Sequence, residues 1–193
     1  IGVIYFNFVS YTSPLELTIH RTIRTALLLS ITTSYYSKWK EFSRIIKYKI
    51  NILILLLTGL LVSINWFTWL YAVSTNNLLD SALGYYIFPI FSVFFGIIFL
   101  KEKYNRNKIF SVILVISALF YFLIKLGEIP WIGITVALTF SLYSLIRKKV
   151  KVSSDIGLLV ETLLLSPIAI ILFIFLTNND LNIFSTSEPL ISF

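Results

Sequence analysis

The chain of 193 residues contains no cysteine and no methionine, and it has a single histidine. Without cysteine it can form no disulfide, thiol nucleophile or thiolate metal site. One histidine and no paired metal-ligand motif leave little for hydrolytic or metal chemistry. We therefore expect neither an enzyme nor a site for a metal or another cofactor. Because the sequence starts at Ile1 and lacks methionine, we expect it to be part of a longer protein.

Charged residues are also scarce, at 13% of the chain, whereas a soluble domain has about 25%. Hydrophobic residues make up 58%. These proportions predict an integral membrane protein. The net charge of +7 could suggest a nucleic-acid partner, but the basic residues lie in short loops rather than on one folded face. We expect membrane lipids with anionic headgroups as the counter-charge, and no nucleic acid.

Lysine and arginine collect at every second junction between the apolar segments. The basic junctions are residues 37–49, 101–108 and 147–155, and the junctions between them, 74–80 and 125–130, carry almost no net charge. A chain that crosses a bilayer repeatedly, with its positive loops in the cytoplasm, gives this alternation. We therefore predict a multi-pass protein of the cell inner membrane, with the three basic loops on the cytoplasmic side.

Six segments have the roughly 20 apolar residues that a helix needs to cross a bilayer core of about 30 Å. They are residues 14–36, 50–75, 78–100, 109–126, 129–146 and 156–176. Residues 1–11 are apolar but too short to cross, and we interpret them as part of a truncated first span. Small residues such as Gly84 and Gly133 predict close helix contacts, and Trp69 near a span end predicts a membrane anchor. The predicted fold class is an all-α, polytopic bundle of transmembrane helices.

Short motifs inside the spans follow a defined order. They are Pro14-Leu15-Glu16-Leu17 with His20-Arg21, Ser63-Ile64-Asn65-Trp66 with Trp69, Leu83-Gly84-Tyr85 with Pro89, Phe99-Leu100-Lys101-Glu102, Arg147-Lys148-Lys149 and Glu161-Thr162-Leu163-Leu164. In this order and at these spacings, residues 14–176 resemble the RarD-type branch of the EamA family, within the drug/metabolite transporter superfamily. The resemblance implies a secondary transporter for a small metabolite or drug-like solute, working by alternating access.

The resemblance also implies ten helices in two inverted five-helix repeats. This chain would supply about seven of them, the first truncated. Residues 1–126 would be the first repeat, residues 129–176 the first two helices of the second, and residues 177–193 an external loop leading to missing helices. The alternative is a truncated membrane protein that does not transport and has a structural or interaction role. We also allow for a homodimer.

Polar residues inside the apolar spans are the candidate substrate pathway, because ionisable groups at membrane depth normally face a polar interior or a partner. Counted along the helices, His20, Asn65 and a tyrosine lie about 8–10 Å below the outer surface, and Arg24 lies about 15 Å deep. The full candidate set is His20, Arg21, Arg24, Asn65, Trp66, Tyr85 and Tyr86. These basic and aromatic residues favour an anionic or zwitterionic solute with some apolar surface.

The competing interpretation is that these groups satisfy one another across helix contacts. Glu16 would then neutralise His20 or Arg24, and Asn65 would bond a neighbouring helix. Trp66 would be a lipid-facing or core side chain.

Glu161 lies seven residues after Ser154, as His20 lies seven after Ser13. If residues 156–176 are the inverted counterpart of residues 14–36, a pseudo-twofold axis relates the two side chains. As a protonatable carboxylate, Glu161 is our candidate for proton coupling or for a gate. The alternative is a plain interhelical pair with a serine or tyrosine.

Pro89 lies in the middle of the span at 78–100, where it removes a backbone hydrogen bond and predicts a kink. Such a kink is either a hinge for alternating access or a static bend.

Overall fold

The computed structural model describes residues 12–101, 106–127 and 129–178. Within them the chain forms seven α-helices and no β-strand, which confirms the predicted all-α fold. The helices are α1 (Pro14–Tyr35), α2 (Trp39–Ile46), α3 (Lys49–Ser74), α4 (Leu78–Leu100), α5 (Arg106–Leu126), α6 (Trp131–Arg147) and α7 (Ser154–Asn178). The truncated span predicted at 1–11, Glu102 and the segment from residue 179 onward lie outside the described residues.

Three of these helices, α3, α4 and α7, are long and apolar enough to cross a membrane, and α6 is a shorter apolar helix. Each of the six full-length predicted spans corresponds to one helix, and the predicted and observed ends agree within three residues. The chain is therefore a multi-pass membrane protein, and membrane crossing by α1, α5 and α6 stays a prediction. The structure adds one helix, α2, inside the basic loop predicted at 37–49.

Helix α1 begins at a capping sequence. The Oγ of Ser13 accepts a hydrogen bond of 3.2 Å from the backbone N–H of Glu16, and Pro14 occupies the first turn, where a missing N–H costs no helical hydrogen bond. A serine followed by a glutamate three residues later is the capping-box pattern. The local sequence therefore sets where α1 starts.

Helices α6 and α7 pack among the earlier helices. Helix α6 contacts α4 most extensively and also α3, whereas α7 contacts α1 and α3. Leu83 and Ile87 of α4 form one core cluster with Ala137 of α6, and Ile19 of α1 forms another with Ala169 of α7. Many large apolar side chains on the outside of the helices are exposed, as helices that face lipid require. Polar residues between the helices are thus the ones placed to form a site.

Glycines allow α4 and α6 to approach closely. A Cβ built on Gly84 would lie 2.9 Å from the carbonyl oxygen of Gly133, and a Cβ on Gly133 would lie 2.5 Å from the carbonyl oxygen of Asp80. Both distances are shorter than the contact distance of packed atoms, so a larger residue at either position must push the helices apart.

The same crossing caps the N-terminus of α6. Pro130 precedes α6 and provides no capping side chain. Instead, Asp80 of α4 accepts hydrogen bonds from the N–H of Gly133, at 2.9 Å, and from that of Ile132, at 3.4 Å. A carboxylate at a helix N-terminus satisfies free N–H groups and interacts favourably with the helix dipole. Asp80 therefore links α4 to α6 about one helical turn before Gly84 and Val136, which line the cavity described next.

Candidate functional site

A cavity of about 340 Å³ lies between α1, α3, α4 and α6, a volume within the usual range of small-molecule sites. Its lining residues are Arg21, Asn65, Trp66, Trp69, Gly84, Tyr85, Phe88, Val136 and Phe140. Five of these nine side chains are aromatic, one is a cation and none is a carboxylate. The cavity therefore combines apolar walls with a single positive charge.

Arg21 is held against the face of Trp66. Its guanidinium carbon lies 4.1 Å from the centre of the indole ring, which is a cation–π contact. A guanidinium carries its N–H donors in its own plane, so stacking on a ring covers one face without consuming those donors. Arg21 is thus oriented by Trp66 and keeps donors that a bound anion can use.

Asn65 joins α3 to α6. Its Nδ2 donates to the carbonyl oxygen of Val136 at 2.9 Å and to the Oγ1 of Thr139 at 3.1 Å. A carbonyl oxygen can only accept, so these partners fix which end of the amide faces α6. Asn65 makes the neighbour contacts that the competing interpretation predicts, and it also lines the cavity.

Four of the seven residues predicted for the substrate pathway line the cavity, namely Arg21, Asn65, Trp66 and Tyr85. The other three lie elsewhere. His20 contacts Phe173 of α7 edge to face, with ring centres 5.4 Å apart, and the side chains of Arg24 and Tyr86 are exposed. Successive residues point about 100° apart around a helix, so His20 and Arg21 face different neighbours. The structure thus places these two neighbouring members of the predicted set against different helices.

Five lining residues were absent from the predicted set: Trp69, Gly84, Phe88, Val136 and Phe140. Three of them lie four residues after another lining residue, in the pairs Asn65 with Trp69, Gly84 with Phe88, and Val136 with Phe140. Residues four apart share a helix face. Extending Asn65 by one helical turn would have identified Trp69, which the sequence interpretation assigned to membrane anchoring. Phe88 and Phe140 follow the apolar positions Gly84 and Val136, so the polar positions alone gave no signal for them.

Glu161 is fully buried, with 0% of its surface exposed, and it joins α7 to α3 and α6. Its Oε1 accepts a hydrogen bond of 2.7 Å from the Oγ1 of Thr58 and lies 3.2 Å from the Nε of Arg147. The hydroxyl of Tyr143 donates to its Oε2 at 3.5 Å. The predicted alternative for Glu161, an interhelical pair that includes a tyrosine, is observed. The ion pair with Arg147 was not predicted, because Arg147 was counted as a loop charge.

Arg147 ends α6 and reaches across to the start of α7. Its guanidinium fills the space that a side chain on Gly157 would occupy, and its Nη2 donates to the carbonyl oxygen of Ser153 at 3.4 Å. Gly157 is therefore required here by the close approach of the arginine. We call Arg147, Glu161, Thr58 and Tyr143 the Glu161 cluster.

A second set of polar contacts joins the predicted basic loops 37–49 and 147–155. Lys38 forms an ion pair of 2.5 Å with Asp155, and this hydrogen bond raises the pKa of Lys38. Glu41 accepts from the backbone N–H and the Oγ of Ser153, at 2.9 and 3.0 Å. These two loops thus share one end of the bundle, as the alternation of charge requires. The assignment of that end to the cytoplasm stays a prediction.

Pro89 lies inside α4, as predicted. Because proline has no N–H, the carbonyl of Tyr85 loses its usual helical partner, and Tyr85 lines the cavity. A hinge at Pro89 stays a prediction.

Over the residues that the structure describes, no group of three or more histidine, cysteine or acidic side chains could hold a metal ion.

Comparison with known proteins agrees with these features. The family model described as the EamA-like transporter family matches residues 1–124. The chain belongs to the EamA-like transporter family. The uncharacterized transporter YojE of Bacillus subtilis is 35% identical over 170 residues, which cover 86% of this chain and 57% of YojE. Protein RarD of Salmonella typhi is 34% identical over 167 residues, covering 86% of this chain and 57% of RarD.

An uncharacterized transporter of Vibrio cholerae is 33% identical over 178 residues, covering 92% of this chain and 59% of that protein. The predicted resemblance to RarD-type EamA proteins is thus confirmed. The chain spans less than two thirds of the length of these relatives. No solved structure matches it.

Proposed function

We propose that the full-length protein is a secondary transporter that moves a small solute across the cytoplasmic membrane by alternating access of two inverted repeats. The observation that carries this proposal is the cavity, because its walls come from both proposed repeats: α1, α3 and α4 of the first and α6 of the second. A site shared by two repeats opens to one side or the other when the repeats rock. Membership of the EamA-like transporter family supports the same class.

The solute we propose is a small metabolite or drug-like molecule with an anionic group and an apolar body. Arg21 has in-plane donors suited to a carboxylate or phosphate, and Trp66 orients it from 4.1 Å. The aromatic walls cover the apolar part. No lining carboxylate opposes an anion.

The polar contacts at the end of the bundle that carries the basic loops 37–49 and 147–155 form the proposed gate. Lys38 with Asp155, and Glu41 with Ser153, tie the start of α7 to the first-repeat side of the bundle. The Glu161 cluster lies on the same half of α7, about two turns into the helix. Opening this end of the bundle requires the contacts between the loops and those within the Glu161 cluster to break. Protonation of Glu161 would remove its ion pair with Arg147, and this is the proposed step at which a proton couples to opening.

Transport assays on the full-length protein test this proposal. The purified protein is reconstituted into vesicles, and uptake of labelled amino acids and amphipathic drugs is measured with and without a pH gradient. We expect saturable uptake that Arg21→Gln lowers at least roughly tenfold, the effect of a lost charged hydrogen bond of about 1.5–3 kcal/mol. Lys149→Gln, which removes an exposed cation, is the matched control and should leave uptake unchanged.

Proton coupling has a separate readout. Glu161→Gln should abolish the effect of the pH gradient while solute exchange without a gradient continues. The proposal fails if no saturable uptake is found, or if Arg21→Gln and Lys149→Gln behave alike.

A further inference from the structure

Helix α2, the turn after it and the first residue of α3 carry an exposed basic surface. Its cations are Lys40, Arg44, Lys47 and Lys49, and all four side chains are exposed. We call these four residues the α2 basic surface. None of these four cations forms an ion pair with a carboxylate in the part of the chain that the structure describes. The surface therefore carries four positive charges without a carboxylate partner among the described residues.

The carboxylates on and against α2 are already engaged. Glu41, on the same helix, accepts two hydrogen bonds from Ser153. Asp155 pairs with Lys38. These contacts engage both carboxylates where α2 meets the start of α7, so they are not available to balance the α2 basic surface.

The opposite face of α2 is anchored in the bundle. Ile45 is 4% exposed and forms a core cluster with Leu55 of α3 and Val160 of α7, and Phe42 packs against the same cluster. This packing fixes which side of α2 faces outward. Because α3 is a candidate membrane span and starts only three residues after α2 ends, α2 lies at the membrane surface.

Aromatic rings stand beside these cations. Trp39 is 41% exposed and Tyr48 is 57% exposed. Rings with one apolar and one polar part favour the headgroup layer of a membrane. Cations and exposed rings thus occur together on α2 and the turn that joins it to α3.

We propose that the α2 basic surface is a binding site for anionic phospholipid headgroups, with Trp39 and Tyr48 lying in the same interfacial layer. Clusters of four or more basic residues next to a membrane span are typical of such binding. The local enrichment of anionic lipid should change about fivefold for each charge removed. This site is separate from the cavity, and the inference holds whether or not the protein transports a solute.

Tryptophan fluorescence gives a local test, because the chain has four tryptophans that can be reduced to one. Two full-length proteins are compared, one with only Trp39 and one with only Trp131, the others being replaced by phenylalanine. Each is reconstituted in vesicles that mix phosphatidylcholine and phosphatidylglycerol, with brominated acyl chains on one lipid or the other at equal fractions. Bromine quenches a tryptophan that its lipid contacts.

We expect brominated phosphatidylglycerol to quench Trp39 more strongly than brominated phosphatidylcholine, and the two lipids to quench Trp131 equally. Replacing all four cations of the α2 basic surface by glutamine should remove the preference at Trp39. The control variant Lys149→Gln/Lys151→Gln, which removes two exposed cations outside the α2 basic surface, should retain it. Salt at 1 M, where screening acts over about 3 Å, should weaken the preference without any mutation. Equal quenching of Trp39 by both lipids at low salt would overturn the proposal. So would a loss of the preference in the Lys149→Gln/Lys151→Gln variant as large as the loss in the variant without the α2 basic surface.

Discussion

Replacing Arg147 by glutamine leaves the carboxylate of Glu161 without the cation that now lies 3.2 Å from it. Because Glu161 is fully buried, water cannot replace that cation. Removing one partner of a buried ion pair typically costs about 3–5 kcal/mol. We expect Arg147→Gln to lie toward the lower end of this range, because Thr58 still donates to Glu161 at 2.7 Å. The loss should shrink at acidic pH, because a protonated Glu161 carries no charge that needs a partner.

The double variant Arg147→Gln/Glu161→Gln separates this explanation from a general loss of packing. It contains the same Arg147→Gln truncation, so any loss of packing at residue 147 is common to both variants, but it leaves no buried charge without a partner. We therefore expect it to be more stable than Arg147→Gln by about 2 kcal/mol or more. Stability is measured as reversible denaturant unfolding of the full-length protein in mixed micelles, followed by tryptophan fluorescence. Lys149→Gln is the control for losing one exposed positive charge.

The reasoning is refuted if Arg147→Gln unfolds like the unmodified protein. It is also refuted if the free-energy changes of the two single variants simply add in the double variant, since residues that share an interaction do not behave additively.

Three further changes test other parts of the structure. Gly133→Ala should destabilise the bundle by about 1–3 kcal/mol in the same unfolding assay, because its Cβ would lie 2.5 Å from the Asp80 carbonyl oxygen. Asp80→Ala should cost about 0.5–2 kcal/mol through loss of the α6 cap, and Asp80→Asn should cost less because it keeps an acceptor. Glu41→Ala should raise the rate at which an impermeant maleimide labels Val152→Cys in this cysteine-free chain, and an unchanged rate would contradict the gate.

The sequence predicted the helices well because membrane helices are specified locally. A span must satisfy its own backbone hydrogen bonds and be long enough to cross the hydrocarbon core, so apolar length alone located every predicted span to within three residues. It failed for α2, whose eight residues mix charges with Trp39 and Phe42 and are helical only as a docked amphipathic segment. Because α2 contains no long apolar run, apolar length could not predict it.

The candidate site was predicted in part, for a related reason. Distance along a helix follows from residue count, and depth placed His20, Asn65 and a tyrosine in one layer. Asn65 and Tyr85 line the cavity, whereas His20 faces Phe173 of α7. The direction of a side chain depends on the rotation of its helix against its neighbours, and residue count along one helix cannot supply that rotation.

By itself, the sequence determined the position and length of the six long helices, the alternation of charge at their ends and the family, because hydropathy, charge and motif order are properties of neighbouring residues. Only the tertiary structure decided which polar groups meet. Asp80 caps a helix that begins 51 residues later, at Trp131. Glu41 binds Ser153, which is 112 residues away. Thr58 binds Glu161 at a separation of 103 residues. Such contacts depend on how helices cross and rotate, and those relations arise when the bundle packs.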